Sequence, residues 1–117
     1  MSDFKLAPKI ENKMFPATEV FNLIEKVAYA EGSVVSKIMI RNERGNLTLF
    51  AFDKDEFLSE HTAHFDAILQ VLDGKCEVVI DGKSFDLDVG ESIIMPANVR
   101  HSVIATEKFK MLLTMIK

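Results

Sequence analysis

Residues 59–74, SEHTAHFDAILQVLDG, decide the fold together with a second stretch at 90–101, GESIIMPANVRH. Each stretch combines a histidine, an apolar run and turn-forming residues, and residues 75–89, KCEVVIDGKSFDLDV, connect the two. The connecting segment carries Asp81 and Gly82 between two β-rich runs. Asp-Gly in this position predicts a β-hairpin, because a type I′ turn needs positive φ at both central residues. The fold prediction starts from this hairpin and its two flanking apolar segments.

The second arm of the hairpin has the alternation of a strand with one buried face. Phe85 and Leu87 alternate with Ser84, Asp86 and Asp88, and this period of two indicates a half-buried strand. Further strands are predicted at 27–30, 34–41, 47–52, 68–72, 77–80, 92–95, 102–105 and 109–116. A total of about nine short strands, with turns every 8–12 residues, is typical of an all-β sandwich or barrel.

Two segments have other predicted structures. Residues 53–60 are charged, and we interpret them as a loop that leads into His61. Residues 20–26 fit either a short helix or a strand, so any helical piece is expected within 18–27. The fold class is therefore all-β with a short helical segment allowed near the N-terminus.

The second stretch resembles one of the two motifs of the cupin superfamily. That motif consists of Gly, five residues, Pro-x-Gly, two residues, His, three residues and Asn. Gly90, Pro96 and His101 match it in type and spacing. Asn98 stands where the motif has its second glycine and Ala105 where it has asparagine. Because asparagine tolerates positive φ better than other non-glycine residues, Asn98 is expected to form the same turn.

The first stretch resembles the other cupin motif, which consists of Gly, five residues, His-x-His, three or four residues, Glu, six residues and Gly. Gly74 sets the register. Counting back from Gly74 places His61 at the first histidine, Ala63 at the second and Ala67 at the glutamate. Asp55 occupies the position of the opening glycine.

The resemblance covers residues 55–105 and implies a small single-domain cupin, folded as a double-stranded β-helix or jelly-roll barrel. In that family three histidines and one carboxylate bind a divalent transition metal, for which Fe, Mn, Ni, Zn and Cu are the candidates. The resemblance retains His61 and His101 as metal ligands. Ala63 and Ala67 would line the pocket without offering a donor atom. Two imidazoles alone hold a metal weakly, so a metal cofactor is expected to be loosely bound.

Three polar residues close to His61 are further candidates for the site. Regular alternation places His64, Asp66 and Gln70 on the strand face opposite His61, and a bulge near residues 62–65 would reverse that assignment. Gln70 lies in the apolar run ILQVL. It is interpreted either as a structural hydrogen-bonding residue or as a ligand contact, because a buried amide needs partners. His64 is interpreted first as an exposed loop residue and second as a metal ligand.

Composition restricts the class of protein. The chain has 117 residues, a net charge of -4 and 48% hydrophobic residues, which predicts one domain with its own core. The acidic balance argues against nucleic acid as a partner. No apolar run approaches about 18 residues, so no membrane span is expected. The first residues lack the apolar region of a signal peptide, and Cys76 has no second cysteine with which to pair. Together these features predict a cytoplasmic protein.

The chain divides into an N-terminal arm at 1–17 and one barrel domain at 18–117. The arm is polar overall but contains the apolar side chains Phe4, Leu6, Ile10, Met14 and Phe15. Because these side chains favour burial and two-fold dimers are the commonest oligomers, a homodimer is expected.

The function indicated by these residues is binding of a small molecule, of a weakly held divalent metal, or of both, in the barrel pocket. The alternative is a metal-dependent cupin enzyme of the dioxygenase, isomerase or decarboxylase type. A third reading is a subunit that reports on a metabolite to a partner protein. The fold by itself does not choose among these functions.

Overall fold

The computed structural model describes residues 15–117. Its strands are β1 Val34–Asn42, β2 Gly45–Phe52, β3 Phe57–His61, β4 Asp66–Asp73, β5 Lys75–Ile80, β6 Lys83–Asp88, β7 Ser92–Met95, β8 His101–Ala105 and β9 Phe109–Ile116. The helical element in this part of the chain is a 3-10 helix at Leu23–Lys26, within the interval where the sequence allows one. No helix in residues 15–117 has the length and apolar character needed to cross a membrane.

The strands form two antiparallel sheets with a common core between them. The five-stranded sheet has the order β1-β2-β9-β4-β7, and the four-stranded sheet has the order β3-β8-β5-β6. From β3 onward the chain passes repeatedly between the two sheets, so that strands distant in sequence become neighbours. The prediction of an all-β jelly roll is confirmed.

The central hairpin has the predicted turn. Asp81 and Gly82 have φ angles of 50° and 80°, and Ile80 pairs directly with Lys83 across the two-residue loop. Positive φ at both central residues is the requirement of a type I′ turn, which matches the twist of the flanking strands. The Asp-Gly signal therefore identified the hairpin and its register correctly.

Two local predictions are wrong. Residues 27–30 form no strand, because this segment packs across the face of a sheet and does not join a strand ladder. Residues 53–60 are not a loop throughout, because β3 occupies Phe57–His61 and pairs with β8. β3 lies at the edge of its sheet, and its side chains are exposed except for half-buried Leu58. An exposed edge strand lacks the apolar alternation by which the other strands are recognised.

The inner core fills the space between the sheets. Its largest members, Phe52 and Phe109, are fully buried and stack with ring centroids 4.5 Å apart. On β4, buried Leu69 and Val71 face this core. The apolar residues of the alternating pattern in β4 therefore point toward the core.

A second apolar cluster lies on the outer face of the five-stranded sheet, where residues from the N-terminal side of the chain cover it. Val27 is 1% exposed and packs in this cluster with Leu49 and Leu112. Polar contacts fasten the same segment, since the Tyr29 hydroxyl donates to Asp73 at 2.6 Å and Lys110 Nζ donates to the Ile24 carbonyl at 2.7 Å. Residues before β1 are thus part of the packed domain.

The arm predicted at 1–17 is only partly described. Residues 1–14 lie outside the described part of the chain. Phe15 is half-buried and packs against the outer cluster. The homodimer and the cytoplasmic location remain predictions.

Candidate functional site

His61 and His101 form the centre of the candidate site. His61 is the last residue of β3 and His101 the first residue of β8, and the two are direct partners in the antiparallel pairing. Their ring centroids lie 4.5 Å apart, with an angle of 64° between the ring planes. The strand register thus joins two histidines from separate motifs in one arrangement, called here the histidine pair.

Backbone carbonyl groups orient both rings of the histidine pair. His61 Nδ1 lies 2.8 Å from the carbonyl oxygen of Ser59, and His101 Nδ1 lies 3.1 Å from that of Val99. Because a carbonyl oxygen only accepts hydrogen bonds, each Nδ1 carries the proton in this arrangement. In the neutral state, each Nε2 is then left with a lone pair for a bound molecule.

The two rings differ in exposure. His61 is exposed, whereas His101 is only 7% exposed, so the pair extends from the surface into the interior. Burial lowers the pKa of His101 from its ordinary value of 6.5; the hydrogen bond to Val99 opposes this shift, and the neighbouring His61 adds to it. His101 is therefore neutral at pH 7, as a lone-pair donor or hydrogen-bond acceptor must be.

The positions of two family ligands are occupied by alanine. Ala67 is buried and faces the inner core from β4, with Met95 of β7 and Met115 of β9 as its strand partners on either side. Ala63 is half-buried in the segment between β3 and β4. The sequence analysis did not assign either methionine to the site, but the strand pairing places both beside Ala67. The period-two alternation of β7 and β9 turns both side chains toward the inner core, and this is the signal that would have identified them.

Gln70 lies on the other face of β4. It is exposed, whereas its neighbours Leu69 and Val71 are buried in the inner core. Its strand partners are Ser92 and Leu112. The structure therefore does not bring Gln70 to the histidine pair.

His64 and Asp66 contact the turn that follows β7. His64 Nδ1 lies 3.2 Å from Asn98 Oδ1, and Asp66 Oδ1 accepts the Ala97 N–H at 2.9 Å. The Asn98 N–H in turn donates to the Ala63 carbonyl at 2.7 Å. These bonds tie the segment after His61 to the turn before His101, so His64 and Asp66 support the loops that hold the histidine pair.

Turn residues of the two motifs adopt left-handed backbone conformations. Asn98 has φ 64°, as expected for a residue in the position of the motif's second glycine, and it lies two residues after Pro96. Gly74 has φ 77° and Gly90 φ 89°. A Cβ at Gly74 would overlap the carbonyl oxygen of Lys108, whereas one at Gly90 would meet open space. The close approach at Gly74 joins the β4–β5 turn to the start of β9.

The donor set does not make a complete metal centre. Among residues 15–117 there is no group of three or more His, Cys, Asp or Glu side chains placed to hold one metal ion. The histidine pair supplies two imidazoles, and Ala63 and Ala67 supply no donor. A transition-metal site of the family type needs three or four converging ligands.

Comparisons with known proteins agree with this architecture. The family model described as "Cupin domain" matches residues 49–117. A cupin 2 conserved barrel domain protein from Leptotrichia buccalis is 45% identical with a TM-score of 0.81, and the match covers 83% of this chain and 47% of that chain. A conserved protein of unknown function from Streptococcus pyogenes is 29% identical with a TM-score of 0.84, covering 91% of this chain and 92% of that chain.

A cupin superfamily protein from Desulfitobacterium hafniense shares the fold at 24% identity, with a TM-score of 0.82, covering 89% of this chain and 94% of that chain. No curated protein matches the sequence significantly.

Proposed function

This chain belongs to the cupin domain family, and from that premise we propose that it is a small-molecule binding protein whose ligand is held by His61 and His101. The observation that carries the proposal is the pair itself: two imidazoles 4.5 Å apart, each with Nδ1 hydrogen-bonded to a backbone carbonyl. Rings held in this way present Nε2 without a rearrangement, and such preorganisation reduces the cost of binding.

The chemistry of the donors favours an organic ligand over a tightly bound metal. Neutral imidazole Nε2 accepts a hydrogen bond from a hydroxyl or N–H group. Ala67, at the position of the family's carboxylate, and its strand partner Met95 are both buried on the inner side of the five-stranded sheet and carry no charge. A small pocket with a few oriented polar groups among apolar ones is typical of small-molecule sites. The ligand class that fits is therefore a small molecule with at least one hydroxyl or N–H donor and an apolar part.

Weak binding of a divalent metal by the same two histidines is the second part of this proposal. His61 and His101 would hold such an ion through Nε2, but the two remaining family positions are Ala63 and Ala67. Each missing ligand lowers the affinity of the site. The donor set thus supports weak metal binding at most, and it gives no support to the alternative of a metal-dependent cupin enzyme.

The test is ligand binding by untagged, chelator-treated protein. A panel of small hydroxylated and amide compounds would be screened by thermal shift, and hits would be followed by the ¹⁵N resonances of the histidine rings. We expect the Nε2 resonances of His61 and His101 to move, and His61→Gln and His101→Gln to weaken binding. The control is Gln70→Ala, because Gln70 is exposed on the other face of β4. Ligand binding that survives both pair variants, or that moves only His64, would contradict the proposal.

A further inference from the structure

Two register rows line the end of the sandwich at which the histidine pair lies. On the four-stranded sheet, consecutive direct partners form the row His61, His101, Ile80 and Lys83. On the five-stranded sheet, the corresponding row is Asn46, Met115, Ala67 and Met95. Because β3 ends and β4 begins at this end of the sandwich, both rows border the same end, and they are called here the mouth rows.

The mouth rows face the interior between the two sheets. Ala67 and Met95 belong to the inner core, and Ile80 packs against it. Directly opposite residues of an antiparallel pair have their side chains on the same face. Lys83, as the direct partner of Ile80, therefore starts from the inward face of β6. Phe85, two residues further along the strand, shares that face and also packs against the inner core.

The ammonium group of Lys83 lies on this inward side and is accessible. Its Nζ is 5.6 Å from the centroid of the Phe85 ring, so the charge stays over an inward-facing side chain. Lys83 is exposed, and a small molecule in solution can therefore reach it. Neither of the ion pairs found within residues 15–117 includes Lys83. A positive charge at the mouth rows is thus left without a carboxylate partner in the described part of the chain.

Contacts at the tip of the central hairpin fix Lys83 relative to His101. The Asp81 N–H donates to the Arg100 carbonyl at 2.8 Å, and Arg100 Nη2 donates to Asp81 Oδ1 at 3.2 Å. Arg100 directly precedes His101, and Asp81 lies two residues before Lys83. The same two bonds therefore hold the start of β8 against the turn from which β6 begins.

The separation of Lys83 from the histidine pair sets the size of a ligand that engages both. β5 lies between β8 and β6, and neighbouring strands are about 4.8 Å apart, so the backbones of His101 and Lys83 are about 10 Å apart. The side chain between them in the row is the apolar Ile80. A compact molecule with a hydrogen-bond donor at one end, an apolar middle and an anionic group at the other end matches this order of groups.

A carboxylate is the anionic group that suits a single ammonium group. The ammonium group of lysine is a compact point charge with three N–H donors. A phosphate group is commonly bound by several converging donors, such as an arginine fork or the backbone N–H groups of a helix N-terminus. The mouth rows contain neither an arginine nor a helix, so their chemistry favours a carboxylate.

We propose that Lys83 determines the ligand specificity of this protein by binding the carboxylate of a small hydroxy acid whose hydroxyl group is bound by the histidine pair. This inference rests on the proposed function and narrows it to an anionic class of ligand. The hydroxyl group donates to a histidine Nε2, and Lys83 Nζ donates to the carboxylate. Because the chain has a net charge of -4, which disfavours anions in general, the local charge of Lys83 selects the acid over its uncharged analogues.

Pairs of acids and amides test this proposal on the full-length protein. Hydroxybutanoates and the corresponding hydroxybutanamides have the same skeleton and hydroxyl group but differ in charge. Affinities are measured by titrations that follow the ¹⁵N resonances of the histidine rings at constant pH and ionic strength. We expect the acids to bind about tenfold more tightly than the amides, as for a hydrogen bond to a charged group.

Substitution of Lys83 should remove this preference. Lys83→Gln is expected to lower the affinity for the acids to that for the amides and to leave the affinity for the amides unchanged. The matched control is Lys37→Gln, which removes the same charge from an exposed lysine whose strand partner, Leu49, packs in the outer cluster. This control should leave both affinities unchanged.

The outcomes separate this inference from the function on which it rests. Equal affinities for acid and amide, or an equal loss of acid affinity in both lysine variants, would overturn the role of Lys83, while shifts of the histidine resonances would still support binding by the pair. Tighter binding of glycerol phosphate than of the hydroxybutanoates would overturn the assignment to a carboxylate. The absence of any histidine shift with the acids would overturn the inference, whereas the proposed function fails only if the wider compound screen also leaves these resonances unmoved.

Discussion

His61 at the end of β3 is the direct strand partner of His101 at the start of β8, and their ring centroids lie 4.5 Å apart. The two residues are separated by the whole β4–β7 segment, yet the register of a single strand pair sets their distance. β3 is an edge strand with little buried surface. The geometry of the site therefore depends on how well the loops after His61 and before His101 hold β3 and β8 together.

Restoring the missing ligands should create a metal site. Ala63→His with Ala67→Glu adds an imidazole and a carboxylate at the two positions where the family binds metal. We expect affinity for Ni(II) or Mn(II), measured by calorimetry on untagged protein, to rise by several orders of magnitude, because all four ligands then converge on one ion. Adding His101→Ala should remove the gain. A folded double variant that binds no better than the wild type would show that Ala63 and Ala67 do not share a site with His101.

Stability should fall at acidic pH because of His101. Burial and His61 lower the pKa of His101 below its ordinary value of 6.5 in the folded state, so the unfolded chain binds more protons below that pH. The free energy of unfolding should therefore decrease as the pH falls below about 6.5. Urea denaturation across this range should show a weaker pH dependence for His101→Gln than for the wild type. An NMR titration midpoint of His101 above 6.5 would contradict the lowered pKa.

Gly74→Ala should destabilise the protein more than Gly90→Ala. Both residues have positive φ, which costs a residue with a Cβ about 1–2 kcal/mol. At Gly74 the added Cβ also overlaps the Lys108 carbonyl, so the backbone must shift at further cost. Chemical denaturation of both variants measures the difference. Equal losses would mean that the contact between the β4–β5 turn and Lys108 relaxes freely.

Asn98→Gly should be tolerated better than Asn98→Ala. Glycine keeps the φ of 64° without strain, and it loses only the exposed side-chain bond to His64. Alanine loses the same bond and adds about 1–2 kcal/mol of left-handed strain. Denaturation midpoints provide the measurement, and His64→Ala is the control for the lost side-chain bond. Equal stability of the two Asn98 variants would show that the turn has another conformation in solution.

Tyr29→Phe should loosen the segment that covers the outer cluster. The variant retains the ring but removes the hydroxyl, which donates to Asp73 at 2.6 Å. A part-buried hydrogen bond to a carboxylate contributes about 1.5–3 kcal/mol. We expect a loss at the low end of that range, together with faster hydrogen exchange around residues 27–30. Unchanged exchange there would show that apolar packing of Val27 alone holds the segment.

Predictions from the sequence were correct where the signal is local. Asp81 and Gly82 specify a two-residue turn through their own backbone preferences. Asn98 adopts the left-handed conformation expected of the residue in a glycine position. The resemblance to the two cupin motifs also implied that His61 and His101 share one site, and their rings do lie together.

Predictions failed where the structure of a segment depends on its neighbours. β3 was missed because an edge strand with exposed side chains has no apolar alternation. Residues 27–30 were assigned to a strand because their composition suits one, although they pack on a sheet face. The conformation of such a segment depends on the part of the chain that pairs with it or covers it. The residues of the segment itself do not specify that partner.

The sequence by itself determined an all-β sandwich or barrel and the hairpin at its centre, since turn chemistry and period-two alternation act between residues close in the chain. The resemblance of its two motifs to those of cupins implied the jelly roll and the pairing of the two histidines. Only the tertiary structure decided how those histidines are presented. The register of β3 against β8 sets their separation, and the carbonyls of Ser59 and Val99 orient their Nε2 atoms. The tertiary structure also determines the exposure of Gln70 and the covering of part of the outer sheet face, because both depend on contacts between distant segments.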